Sequence, residues 1–233
     1  MAIADVGQAL EGRLRDDLQL EPLPRFDSLL DLKNLQGAST GYVRTWSGPL
    51  IEKASSLSIN LAPFGRYFNI NLIPDSGIDA PRFVYEGLLS DRGNQVSVDL
   101  MPDVDPIMDF DRFESDYATV AELFNSAKQD SALHFEPSRQ AHIRALVSPF
   151  FLCSFGAPAS ALPALEAVAL AYYEAWLQLV QRNQRLAPDE TRQRSLRRRR
   201  IAEAIMTRDP DRPMVVQIYG EKTTQAIQDA TML

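Results

Sequence analysis

The sequence predicts an α+β fold in which one antiparallel sheet is covered by helices on both faces. Three observations predict it. Apolar residues recur at helical spacing near the N-terminus, they alternate strictly through the middle of the chain, and helical spacing then returns. A run of strands bracketed by helices is the pattern of segregated layers, not of alternating βαβ units. At 233 residues, 45% of them hydrophobic and 24% charged, the chain reads as one domain, 1–233, able to bury a substantial core.

Each element follows in order. Ile3, Val6, Leu10, Leu14 and Leu18 lie three or four apart and share one helix face, which ends before the prolines of EPLPRF (21–26). The stretch 34–48, rich in Gly, Ser and Thr, reads as a loop. In SSLSINLAP (55–63), Leu57, Ile59 and Leu61 alternate with Ser56, Ser58 and Asn60. In RYFNINLIP (66–74), Phe68, Ile70 and Leu72 alternate with Tyr67, Asn69 and Asn71. The short A-P-F-G-R connection between them is of hairpin type. RFVYEGLL (82–89) is a third strand, SDRGN a tight turn, and QVSVDLMP (95–102) a fourth strand alternating Val96, Val98 and Leu100 with Ser97 and Asp99. These four strands form an antiparallel meander.

Phe113, Tyr117, Val120, Phe124 and Ala127 then restore a helical stripe. A further apolar strand falls within ALVSPFFLCSF (145–155), followed by a helix from Pro163 to about Arg182 carrying Leu165, Val168, Tyr172, Trp176 and Leu179. An Arg-rich helix starts at Pro188, with Asp189 and Glu190 complementing the dipole of its first turn, and runs to Met206. TRDPDRP breaks it, and a short helix over about 221–230 closes the chain.

Two features ask for a functional reading. Ser56, Ser58, Asn60, Asn69, Asn71, Ser97 and Asp99 make up the polar halves of the alternating strands, and Glu86 stands in the middle of a strand of large apolar residues. Asn is depleted from strands. Grouped on one face, these residues either meet water, as one face of an antiparallel sheet commonly does, or line a polar cavity beneath the C-terminal helices. The second feature is charge. The formal net charge is −7, yet residues 182–212 hold ten arginines against five acids, a local +5 that leaves about −12 elsewhere. RQRSLRRRR (192–200) is either a solvated helix face or a docking face for an acidic partner. Overall acidity and the lack of interleaved aromatics argue against nucleic acid.

Other classes are excluded more simply. No apolar run is long enough to span a membrane, and the patterned N-terminal stretch does not read as a signal peptide or an Arg/Ser-rich leader. The lone Cys153 suits a reducing compartment, and a cytoplasmic protein is expected. There is no glycine-rich dinucleotide or phosphate loop and no G-x-S-x-G elbow. His134, His142 and Cys153 are too few for an ordinary zinc site, so no metal is expected.

N-I-N-L-I-P (69–74), I-D-A-P-R-F-V-Y-E (78–86) and V-D-L-M-P (98–102) resemble the ferredoxin-dependent bilin reductases and the related red chlorophyll catabolite reductases. V-S-P (147–149) is similar to the chlorophyll-catabolite branch, and R-D-P-D-R-P-M-V-V-Q-I-Y-G (208–220) to the segment near the family's C-terminus that contributes a second catalytic acid. The resemblance spans about residues 45–230. It implies a three-layer α/β/α sandwich, a linear tetrapyrrole between the sheet and the C-terminal helices, no bound flavin or nicotinamide, and electrons from reduced ferredoxin docked on Arg192 to Arg200. It also implies Glu86 and Asp209 as proton donors from the sheet and helix sides. Asn69, Asn71 and Ser148 become substrate contacts, and Arg66, Arg82 and Arg212 become partners for the propionates. The chemistry is consistent with those residue types, because a carboxyl buried against an apolar pigment is easier to protonate and can serve as a general acid.

The sequence departs from the family pattern at three places. Leu57 stands where some members carry a Glu, Phe155 where some carry an arginine for a propionate, and Asn69 where the enzymes giving the most reduced product carry a histidine. These departures leave the substrate and the position of reduction open; the expected activity is reduction of a biliverdin-type bilin. An opened chlorophyll catabolite as substrate, or a tetrapyrrole carrier without catalysis, stand as alternatives.

Overall fold

The computed structural model describes residues 6–232; Ile3, placed above at the head of the first apolar stripe, lies outside them. Helix α1 (Gln8–Leu18) buries Leu10, Leu14 and Leu18, the stripe read from their spacing. Strands β1 (Glu21–Pro22), β2 (Leu32–Lys33), β3 (Ser39–Gly48), β4 (Ile51–Asn60), β5 (Arg66–Pro74), β6 (Arg82–Leu89), β7 (Asn94–Met101) and β8 (Leu152–Ala157) form one antiparallel sheet. Its order is β1-β3-β4-β5-β6-β7-β8, with β2 beside β3. The remaining helices are α2 (Phe110–Gln129), α3 (Ala141–Arg144), α4 (Leu162–Gln181), α5 (Pro188–Arg208), α6 (Arg212–Tyr219) and α7 (Glu221–Thr231). The fold is α+β, an eight-stranded antiparallel sheet between two helical layers.

One layer is the main core. Leu10 and Leu14 of α1, Phe113, Tyr117 and Val120 of α2, and Leu165, Tyr172 and Trp176 of α4 pack on Phe68, Ile70, Leu72, Phe83, Tyr85 and Val98 of the sheet. Trp176 is fully buried, and its indole N–H donates to the Pro81 carbonyl at 2.8 Å, so its polar atom is satisfied. Gly87 interrupts the apolar β6 for a steric reason. A Cβ there would lie 2.7 Å from the Phe68 ring and 2.6 Å from the Gln95 carbonyl oxygen. On the other face, Tyr219, Ile227 and Ala230 of α6 and α7 cover Val43, Leu57 and Ile59.

The strand pairing corrects three expectations. Residues 39–48 are not loop but the long strand β3, held along β4 from Gly41 to Gly48. Tyr42, Val43, Thr45 and Trp46 are strand formers whose signal the surrounding small residues dilute. Second, Leu57 pairs with Asn69, Ser56 with Ile70 and Ser58 with Phe68. Directly opposed residues share a face, so Ser56 and Ser58 belong with the apolar core, and of the polar residues grouped above Asn69, Asn71, Glu86, Ser97 and Asp99 share the second face. Third, the strand expected over 145–155 begins only at Leu152. Pro149 has no N–H to give to a ladder, and the N–H of Ser148 is given to Asp99.

Helix α5 is fastened, not merely laid on the surface. Arg194 donates to Asp79 at 3.0 Å and to the Ile78 carbonyl at 2.6 Å, and pairs in charge with Asp103 at 3.1 Å. Arg198 pairs with Asp103 and donates to the carbonyls of Pro74 and Ala80. Both arginines are buried, as are both aspartates. The Arg run therefore does not present one continuous basic surface. Arg192, Arg199 and Arg200 are the exposed members, and Arg192 pairs with Asp189.

Candidate functional site

Two rows of side chains on the second face build the site. In the first, Leu57, Asn69, Glu86, Ser97 and Cys153 oppose one another across β4, β5, β6, β7 and β8. In the second, Ser55, Asn71, Val84 and Asp99 do so across β4 to β7. Asn69, Asn71, Arg82, Glu86, Ser97 and Asp99 form the floor of a hollow roofed by Ile143 and Val147, Phe151, Ile205 of α5 and Met232. The hollow measures about 70 Å³, room for two or three water molecules. Sites for larger ligands run to ~300–1,000 Å³. An occupant of that size must displace roof residues, all of which come from the β7–β8 connection, the end of α5 or the residue after α7.

Glu86 is the centre of the hydrogen bonding. Its Oε2 accepts from the Tyr67 hydroxyl at 2.7 Å and from Asn69 Nδ2 at 3.1 Å, and its Oε1 from Ser97 Oγ at 3.4 Å. Burial, then the Glu86 charge, hold the Tyr67 phenol well above its ordinary pKa, with a smaller push from Asp209. Tyr67 is thus bonded to one predicted acid, Glu86, and feels the charge of the other, Asp209. Burial and the same Glu86 push the Cys153 thiol up to about 12, so it stays protonated.

The amides are oriented by what they donate to. Asn69 gives its N–H to Glu86, and Asn71 gives its N–H to the Thr231 carbonyl at 2.7 Å. That fixes each amide, and among the described residues both buried carbonyl oxygens then have no hydrogen-bond partner. Two acceptors in the floor of the hollow are consequently suited to N–H donors of a ligand.

The cations are as unusual. Arg82, 3% exposed, has no ion pair among the described residues; it donates to the Met232 carbonyl at 3.2 Å, and burial and nearby Arg198 lower its pKa to about 10. Lys53, 2% exposed, donates to the Asp229 carbonyl at 2.9 Å, and burial, then Arg82 and Arg25, bring it down to about 7. With Asn71 they cap the carbonyl end of α7, a natural seat for positive charge. Among the described residues neither forms an ion pair, and Glu52, Asp103 and Asp229 offset their burial only in part, so they also suit an anionic ligand group.

The other predicted residues are placed elsewhere or differently. Arg66 lies on the opposite face, against the Phe68 ring and bonded to Ser58 and the Val6 carbonyl, so it does not meet the hollow. Arg212 ties α6 to α7 by pairing with Glu221 and reaching Gln228, and is not in the hollow either. Asp209 ends α5 and accepts the Asp211 N–H at 2.9 Å, an ordinary turn role. Burial raises its pKa, but it does not line the hollow. Ser148 sits behind the wall, holding Asp99. Sequence reasoning missed Tyr67 and Lys53, and placed Asp99 in the polar row without giving it a role. Lys53 carried a signal, a lysine in register with the buried row of β4.

No protein-family profile and no curated protein sequence matches this chain. Among solved structures, it is similar to the selenomethionine form of tomato phytochromobilin synthase crystallised with biliverdin. The TM-score is 0.82 at 17% identity, over 95% of this chain and 80% of that one. The likeness is one of fold, and it includes the sheet and flanking helices that build the hollow.

Proposed function

We propose that this protein is a ferredoxin-dependent oxidoreductase that reduces a linear tetrapyrrole of the biliverdin type. The observation that carries the reading is the floor of the hollow. Among the described residues, two amide oxygens without hydrogen-bond partners and the buried Arg82 share that floor with a hydrogen-bonded glutamate, and the buried Lys53 holds the end of α7 that Met232 follows. An open-chain tetrapyrrole offers the complementary set: pyrrole and lactam N–H groups, two propionates, and conjugated carbons to be protonated. The fold shared with a synthase crystallised with biliverdin supports the same ligand class.

In this reading Arg82 and Lys53 take the propionates, and the oxygens of Asn69 and Asn71 take pyrrole N–H groups. The pigment accepts two electrons singly from reduced ferredoxin and two protons from the protein, and one C=C bond becomes CH–CH. Glu86 gives one proton to a ring carbon and recovers it through Tyr67, whose hydroxyl already reaches it. The expectation that Asp209 protonates the pigment directly is narrowed to action through Tyr67. Arg192, Arg199 and Arg200 on the outer face of α5 are the part of the Arg run open to an acidic iron–sulfur partner.

The test is anaerobic incubation with biliverdin, ferredoxin and ferredoxin reductase, followed by chromatography of the pigment. A reduced bilin is expected. Binding of biliverdin without spectral progression would replace the enzyme by a carrier. Reduction only of an opened chlorophyll catabolite would move the activity to that branch.

A further inference from the structure

Among the described residues, Asp99 is the one carboxyl besides Glu86 that lines the hollow. It stands on β7, 2% exposed, opposite Val84 and two residues from Ser97, which faces Glu86. Such diagonal neighbours on one sheet face lie about 7–8 Å apart, so both carboxyls can meet one pigment laid between them. Ser148 grips it from the β7–β8 connection, N–H to Oδ2 at 2.9 Å and Oγ to Oδ1 at 2.5 Å. Among the described residues no cation forms an ion pair with it.

Resting on the reading above, we propose that Asp99 is the second proton donor to the pigment and that Ser148 is its positioning residue. A tether for the β7–β8 connection needs only a neutral acceptor, and an asparagine would supply one at a smaller desolvation penalty. What a carboxyl adds is a proton. The Ser148 hydroxyl, which already accepts the Phe150 N–H at 3.0 Å, can donate to the ionised carboxylate or accept from the protonated acid. The group is therefore held in place in both states.

Its surroundings favour the acid. Burial raises the Asp99 pKa to about 6, and the Ser148 hydrogen bonds hold it from rising further. The other ionisable groups around it are Glu86 and Arg82 on the same sheet face and the phenols of Tyr117 on α2 and Tyr172 on α4. Those phenols are raised first by their own burial and then by the Asp99 charge. In the full step the pigment takes two electrons, one at a time, from the reduced iron–sulfur protein. It takes one proton from Glu86 and one from Asp99, and both carboxylates are reprotonated from solvent.

The experiment compares wild type, Asp99→Asn and Ser148→Ala in anaerobic single turnovers with biliverdin across pH 5 to 8. Asp99→Asn is expected to bind the pigment normally, lose about 100-fold or more in formation of the two-electron product, and accumulate the one-electron-reduced radical by electron paramagnetic resonance. In wild type the product-forming rate should fall as pH rises past about 6. Ser148→Ala, which removes a bond that favours the anion, should move that limb to higher pH. A merely structural tether would weaken folding and leave the limb where it is. If Asp99→Asn turns over like wild type, or Ser148→Ala leaves the limb unmoved, the inference is overturned while the reductase reading stands. If wild type does not reduce biliverdin, that reading fails first and this role with it. Infrared titration of the ligand-free protein separates the cases. A carboxyl band that titrates near pH 6 and disappears in Asp99→Asn shows the buried acid whatever the substrate.

Discussion

Glu86 accepts three hydrogen bonds from side chains of two neighbouring strands, more than a solvated sheet residue needs. Replacing it with Gln keeps the shape and removes the proton. Pigment binding by Glu86→Gln should stay within about threefold of wild type, while reduction falls by about 100-fold or more, the usual range for a lost general acid. Difference absorption spectra and a stopped-flow trace measure the two separately. Unchanged turnover would remove Glu86 from the chemistry. This residue was legible in the sequence because a carboxylate amid Phe83, Val84, Tyr85, Leu88 and Leu89 has no packing reason to be there. Tyr67 was not legible. A tyrosine in a strand is an ordinary strand former, and only the pairing of Asn69 with Glu86 shows that its hydroxyl ends on the acid.

Helix α5 has an inner and an outer face with different work. Arg194, Arg198, Ile201 and Ala202 are buried, at the spacing of four, three and one that marks one stripe of a helix. The stripe was present in the sequence, but charge hid it, since a run of arginines reads as solvated until its aspartate partners in distant loops are known. The strand register was hidden in the same way. Which serines share a face with Asn69 depends on the hairpin between β4 and β5, and a slip of one residue exchanges the faces. Truncating Arg198 to Met leaves Asp103 buried with one partner fewer, and breaking a buried pair in this way typically costs ~3–5 kcal/mol. Chemical denaturation of Arg198→Met should show that loss, and the double variant with Asp103→Leu should recover part of it. On the outer face, charge reversal at Arg199 and Arg200 touches no such network. It should leave stability within about 0.5 kcal/mol and slow turnover with ferredoxin at low salt, the difference fading as ionic strength rises. A ferredoxin reaction indifferent to both reversal and salt would place docking elsewhere.

For the molecule as a whole, in the proposed reading the end of α7 and a ligand carboxylate compete for Lys53 and Arg82. Lys53, Asn71 and Arg82 now hold the carbonyls of Asp229, Thr231 and Met232, and Met232 roofs a hollow far smaller than a tetrapyrrole. Lys53 reports on that competition through its proton. Its pKa is about 7 in the folded chain, depressed by burial and by Arg82 and Arg25, against ~10.4 when unfolded. Between those values the unfolded chain binds a proton that the folded chain lacks, so stability rises with pH from about 7 toward about 10 and carries the full burial penalty below 7. Lys53→Met should therefore gain most over wild type at pH 6, by a few kcal/mol. The advantage should vanish, or reverse by the ~1 kcal/mol of a lost hydrogen bond, near pH 10. A carboxylate docking beside Lys53 restores its charge, so binding of biliverdin at pH 8.5 should take up about one proton in wild type and none in Lys53→Met. Calorimetry in buffers of different ionisation enthalpy measures that proton directly. Equal uptake in both proteins would mean that the pigment's acid groups never reach the cations beneath the end of α7.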